Sequence, residues 1–157
     1  PCVTEEGVLE GVITIGDITK SYMNLYDSSI ISKANTKYSN ILDTLEGSIV
    51  VGDAEAYFDK GKVLIAAANP DLMENYIEKH DLVILGNRYE SQLCAIEMEA
   101  GCIIVCEGAG VSLTIRKLAQ ERGCTVITTP YDTYTTARPV HAHQLFYDHG
   151  KYHRLLR

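Results

Sequence analysis

The sequence predicts an α/β fold, a parallel sheet with helices on both faces. Three observations carry this reading. From residue 48 onward, short apolar runs alternate with segments of helical periodicity. Two of the runs, 82–86 and 102–106, are continuously apolar, as a strand is when both its faces are covered. The links between units are short, which joins successive strands by right-handed crossovers.

The elements run in order along the chain. Gly11-Val12-Ile13-Thr14-Ile15 reads as a strand, after the turn Glu6-Gly7. From Asp17 to Tyr26, apolar Ile18, Tyr22, Met23, Leu25 and Tyr26 recur at helical spacing. Residues 27–37 are polar and read as a connector. A short helix is expected over Tyr38–Leu45, starting near Ser39 or Asn40 and stopped by Gly47. Strands are then expected over 48–52, 62–68, 82–86, 102–106 and 124–129, with helices over 70–79, 89–100 and 111–122. Asn69-Pro70-Asp71 supplies an N-cap and a first-turn proline, and Arg122-Gly123 supplies a C-terminal stop. Val126 to Arg138 runs from a β-branched strand through Thr129 and Pro130 to Asp132, which is placed to cap one more helix.

Composition limits the function. The 157 residues suit one domain with a piece of a second. A net charge of -7 and a pI near 5.2 argue against nucleic-acid or anionic-membrane partners. No apolar run reaches the roughly 20 residues of a membrane span. The five cysteines are odd in number and lack a CxxC pair, so they read as reduced thiols in a cytoplasmic protein. The chain opens Pro1-Cys2-Val3 with its first strand close behind, and reads as part of a longer polypeptide.

Several residues invite chemistry. Thr14 and Asp17 sit three apart where a strand turns into a helix. There a hydroxyl can meet a phosphate and a carboxylate can accept from ribose hydroxyls; an ordinary capped helix start is the alternative. Gly108-Ala109-Gly110 joins a strand to a helix, as a backbone phosphate cradle or as a tight packing turn. Arg88 and Arg138 are candidates for an anion or for an interface ion pair, beside Asp132. Cys102 and Cys106 share one strand face and read as buried packing groups. His141, His143, Asp148, His149 and His153 resemble a metal tract by spacing. No nucleophile–base pair, metal cage or paired carboxylates occur at convincing spacing, so no catalytic residue is assigned.

Gly11-Val12-Ile13-Thr14-Ile15-Gly16-Asp17 resembles the closing strand and helix of a CBS motif, which grips adenosine nucleotides. The next segment resembles a DRTGG domain. Gly86-Asn87-Arg88 stands where that family's G-D-R run lies, with Asn for Asp. Val105 to Gly110 stands where its T-G-G turn lies, with Glu107-Gly108-Ala109 as the departure. With Ser21–Met23, Asn40–Gly47 and Thr128–Arg138, the chain is similar to the CBS–DRTGG–CBS insert of nucleotide-regulated, manganese-dependent inorganic pyrophosphatases.

The resemblance implies a partial CBS motif over 1–27, a linker over 28–47, a DRTGG-type domain over 48–139 and an atypical tail over 140–157. It implies sensing of adenine nucleotides (AMP, ADP, ATP or diadenosine polyphosphates), homodimerisation, and manganese in a parent catalytic domain rather than a cofactor in this chain. The alternatives are a stand-alone DRTGG sensing or protein-interaction module, or the regulatory region of a phosphotransacetylase-like protein. The resemblance stops at Pro139. One permitted codon set for His141–Arg154, read one nucleotide later, gives M-P-I-S-Y-F-M-T-T-E-N-I-I, close to the family's continuation. A frameshifted tail is therefore preferred to a metal site.

Overall fold

A computed structural model of the chain describes residues 2–3, 6–12, 28–66 and 69–141. In chain order the elements are β1 (Cys2–Val3), β2 (Leu9–Gly11), α1 (Ile30–Lys33), β3 (Thr36–Lys37), α2 (Tyr38–Thr44), β4 (Ser48–Val51), β5 (Tyr57–Phe58) and β6 (Val63–Ile65). They continue with α3 (Pro70–Met73), β7 (Leu82–Leu85), α4 (Tyr89–Glu97), β8 (Cys102–Val105), α5 (Leu113–Arg122), β9 (Thr125–Thr128) and α6 (Thr133–His141).

The sheet has five strands in the order β4-β9-β8-β7-β6. β6 to β9 are mutually parallel and adjacent in chain order. Each crossover therefore steps the same way, and crossovers of one hand put all their helices on one face. That face holds Met73, Ile77, Ala95, Ile96, Ile115 and Ala119 against Val83, Leu85, Ile103, Val105 and Val126. The other face packs Ile31, Tyr38, Ile41, Ala137 and Val140 against Leu82, Ile84, Cys102, Ile104 and Ile127. Successive strand residues alternate between these two cores, which explains why 82–85 and 102–105 are wholly buried and wholly apolar. Cys102 and Cys106 lie in the same core, as their spacing implies.

The sheet is mainly parallel, with one exception: β4 pairs antiparallel with β9. Apolar alternation carries no strand direction. The reason lies in the connection from β4 to β6, which holds only the short strand β5 and no crossover helix. Running antiparallel, β4 ends at the edge where β6 begins, and the chain crosses that amino edge directly. β5 pairs with β3 in a two-stranded ribbon, where the sequence predicts only connector and loop.

Other boundaries differ as well. The helix expected over 70–79 is the four-residue α3, capped by Asn69, whose side chain accepts from the Leu72 amide at 3.1 Å. Turns then carry the chain to His80, at φ 72°. The strand expected over 62–68 is described only as Val63–Ile65. Its approach is tight, because a Cβ on Gly61 (φ +92°) would collide with the His80 carbonyl. The strand expected at 11–15 has β2 ending at Gly11, and the helix expected over 17–26 falls outside the described residues.

Candidate functional site at the carboxyl edge of the sheet

The parallel strands deliver three described loops to one edge: 86–88 after β7, 106–112 after β8 and 129–132 after β9. In open α/β sheets this edge is where ligands are met. Two of the loops are stitched together. The Glu107 amide donates to the Tyr131 carbonyl and the Gly108 amide to the Thr129 carbonyl, each at 2.8 Å. The Ala109 amide returns to the Cys106 carbonyl at 3.3 Å. With φ of 64° at Glu107 and 62° at Gly108, this is a type I′ turn. Its amides at 107, 108 and 109 thus bond within the protein. Gly110 keeps open space, with nothing within 4 Å of a Cβ placed there.

The second loop also holds α2. The Thr129 hydroxyl donates to the Leu45 carbonyl at 2.7 Å and accepts from the Tyr131 amide at 3.3 Å. The Glu46 carboxylate near Tyr131 raises the phenol above its ordinary range. Asp132 caps α6, as its position implies. Its carboxylate accepts from the Thr135 amide at 2.9 Å and the Thr135 hydroxyl at 2.7 Å. The Thr135 amide first, and then the hydroxyl, hold that carboxyl below the usual carboxylate range.

Arg88 is the N-cap residue of α4 and gives no side-chain cap bond. Gln92, buried one turn later, donates to the Gly86 carbonyl at 3.2 Å and fixes that loop from below. Arg138 is exposed on α6, several residues past the loops. Among the described residues neither arginine joins an ion pair. The structure therefore brings Gly108, Gly110 and Asp132 onto adjoining loops with Arg88 on the neighbouring one, and leaves Arg138 farther along its helix. Thr14 and Asp17 lie outside the described residues, as do the side chains of His141, His143, Asp148, His149 and His153.

Burial pushes the Cys106 thiol up, even though its sulfur contacts the Thr136 hydroxyl at 3.5 Å. Among the described residues no group of three or more His, Cys, Asp or Glu is placed to hold a metal. The ties that Thr129 makes to Leu45 and to Tyr131 are long-range or loop contacts that residue type alone does not announce. Their only sequence signal was the hydroxyl-rich run itself.

A family model described as the DRTGG domain matches residues 40–143. The chain belongs to the DRTGG domain family. This DRTGG chain is 37% identical over 130 residues to a cobalt-dependent inorganic pyrophosphatase of Clostridium perfringens, across 83% of the chain and 24% of that protein. It is 25% identical over 138 residues to a probable manganese-dependent inorganic pyrophosphatase of Thermotoga maritima, across 88% of the chain and 25% of the relative. The chain thus spans about a quarter of these relatives. In structure it is similar to the CBS and DRTGG domains of the regulatory region of the Clostridium perfringens pyrophosphatase, solved with its activator diadenosine tetraphosphate. The TM-score is 0.69 at 35% identity, covering 89% of this chain and 61% of that one. The DRTGG chain therefore matches a regulatory region. The metals in the relatives' names have no donor set among its described residues.

Proposed function

We propose that this DRTGG chain is a sensing part of a metal-dependent inorganic pyrophosphatase, and that phosphate cleavage, with its manganese, belongs to another part of the polypeptide. One observation carries the reading: the match, over 89% of the chain, to a regulatory region bound to a nucleotide activator. Residues 1–27 act as half of a CBS cleft, 28–47 as a linker and 48–139 as the DRTGG layer that pairs two copies in a cytoplasmic homodimer. Thr14 meets phosphate and Asp17 the ribose of an adenine nucleotide (AMP, ADP, ATP or a diadenosine polyphosphate). Arg88, Gly108, Gly110 and Asp132 serve the pairing or anion-facing edge, and Arg138 serves the same role from farther along α6. The tail over 140–157 is a frameshifted reading, which resequencing of the encoding DNA tests.

Ligand state is transmitted only if the nucleotide binds two arrangements unequally. Half a cleft supplies at most about half the binding free energy, because the association cost is not halved with the contacts. A micromolar site of about 8 kcal/mol then falls to about 4 kcal/mol, near 1 mM. Titration of the isotope-labelled chain with AMP and diadenosine tetraphosphate, followed by NMR, is expected to move the Thr14 and Asp17 amides at about millimolar ligand. Thr14→Ala should abolish the effect. Unmoved resonances at tenfold higher ligand overturn the half-site, and pyrophosphate turnover by the chain with manganese or cobalt overturns the whole reading.

A further inference from the structure

We propose that the groove between α5 and the edge strand β4 is a docking site for an acidic amphipathic helix of a partner. On this face α5, the last crossover helix, packs against both β9 and the inner side of β4, and among the described residues no further helix covers the rest of β4. A groove of about 620 Å³ remains. The ladder shifts register between Ile49 and Val51, and such a bulge lets the consecutive residues Val50 and Val51 both line the floor. Leu113 stands 74% exposed at one end.

Arg116, Lys117 and Gln120 form the rim along α5. The Arg116 Nε donates to the Val111 carbonyl at 3.0 Å, which orients the guanidinium along the helix. The ion pairs among the described residues join Lys37 to Glu55, Lys62 to Glu78 and Lys79 to Glu99, so neither rim cation is engaged in one. Glu121, the one carboxylate on α5, does not line the groove. An apolar floor under two cations, on a chain of net charge -7, calls for carboxylates beside apolar side chains.

The shape selects the occupant. Small-molecule sites bury most of their ligand, whereas this groove is only partly enclosed. An added strand would meet only the four residues of β4, bulged and continued by Gly52 at φ +111°, which is a blunted edge. A second copy paired groove to groove about a two-fold axis would bring one Arg116–Lys117 rim up to another of the same sign, with no α5 carboxylate lining either groove to offset it. A helix fits: α5 is ten residues long, about 15 Å, and a partner of about three turns matches it with apolar residues at i, i+3, i+4 and i+7.

The test titrates the isotope-labelled 157-residue chain with a synthetic helical peptide carrying leucine at those positions and glutamate alongside, and with its lysine counterpart. The glutamate peptide is expected to shift the amides of Val50, Val51, Leu113 and Gln120. The exposed double variant Arg116→Glu/Lys117→Glu should weaken it by about tenfold or more and gain affinity for the lysine peptide. Equal binding of both peptides, or shifts located elsewhere, overturns the proposal. So does self-association in sedimentation that the double variant abolishes, which names a second copy, or the same shifts produced by AMP, which names a small anion.

Discussion

Glu107 is an ordinary residue in a conformation that suits glycine or asparagine. Its φ of 64° opens the type I′ turn that joins two carboxyl-edge loops. A left-handed L-residue costs about 1–2 kcal/mol, less for asparagine. Glu107→Asn should therefore raise the unfolding free energy by about 0.5–1 kcal/mol, and the β-branched Glu107→Val should lower it by about 1–2 kcal/mol, both read by urea denaturation. At the opposite edge Asp81 is 1% exposed and accepts from the Lys62 and Glu78 amides, each at 2.8 Å. The Asp81 carbonyl also accepts from Gly101, so one residue ties the starts of β6, β7 and β8. Asp81→Ala removes two charge-assisted bonds from half-buried amides and should cost about 1–3 kcal/mol. Asp81→Asn keeps one acceptor and should cost less.

α6 shows the same logic for an element. It begins with Asp132 taking the orphan Thr135 amide, and it buries Thr136, Ala137 and Val140 under the sheet. Pro139 sits inside it, without an amide for the Thr135 carbonyl. Tertiary burial, not propensity, holds this helix through its proline. Pro139→Ala should stabilise the protein by about 1–2 kcal/mol and slow hydrogen exchange in the second half of α6. Asp132→Ala should speed exchange in its first turn, while Asp132→Asn, still an acceptor, should not. This helix was legible because the cap, the β-branched strand before it and the link between them are all local signals. α3 was not. Asn69, Pro70 and Asp71 mark a helix start correctly, yet a start signal says nothing about length. The residues after Met73 bury Ile77 through turns instead.

At the scale of the whole molecule, two cores share one sheet. That layering is legible in the sequence because buried strands must be apolar on both faces. The antiparallel β4 and the Thr129–Leu45 tie are not, because direction and long-range partners depend on where the chain returns, not on what it is made of. The doubled burial also governs alkaline stability. Burial pushes the Cys124 thiol from 9.0 up to about 12, and raises Cys102 and Tyr38 above their ordinary values as well. These groups hold their protons more tightly when folded. Their contribution is complete below the unfolded pKa and is lost as pH rises toward the folded one. For Cys124 that window runs from about 9 to about 12, and the loss approaches roughly 4 kcal/mol at its upper end. A domain stable by about 5–15 kcal/mol does not survive several such groups together. On the acid side the sign reverses for Asp132 and Glu99, whose lowered carboxyl pKa values add stability that is lost as pH falls below about 4. The urea midpoint should therefore be level between about pH 6 and 8.5 and fall steeply above about 9, with a shallower fall in Cys124→Ala. A midpoint constant to about pH 11, or a slope that Cys124→Ala leaves unchanged, would mean that the unfolded chain keeps this thiol as well hidden as the folded one does.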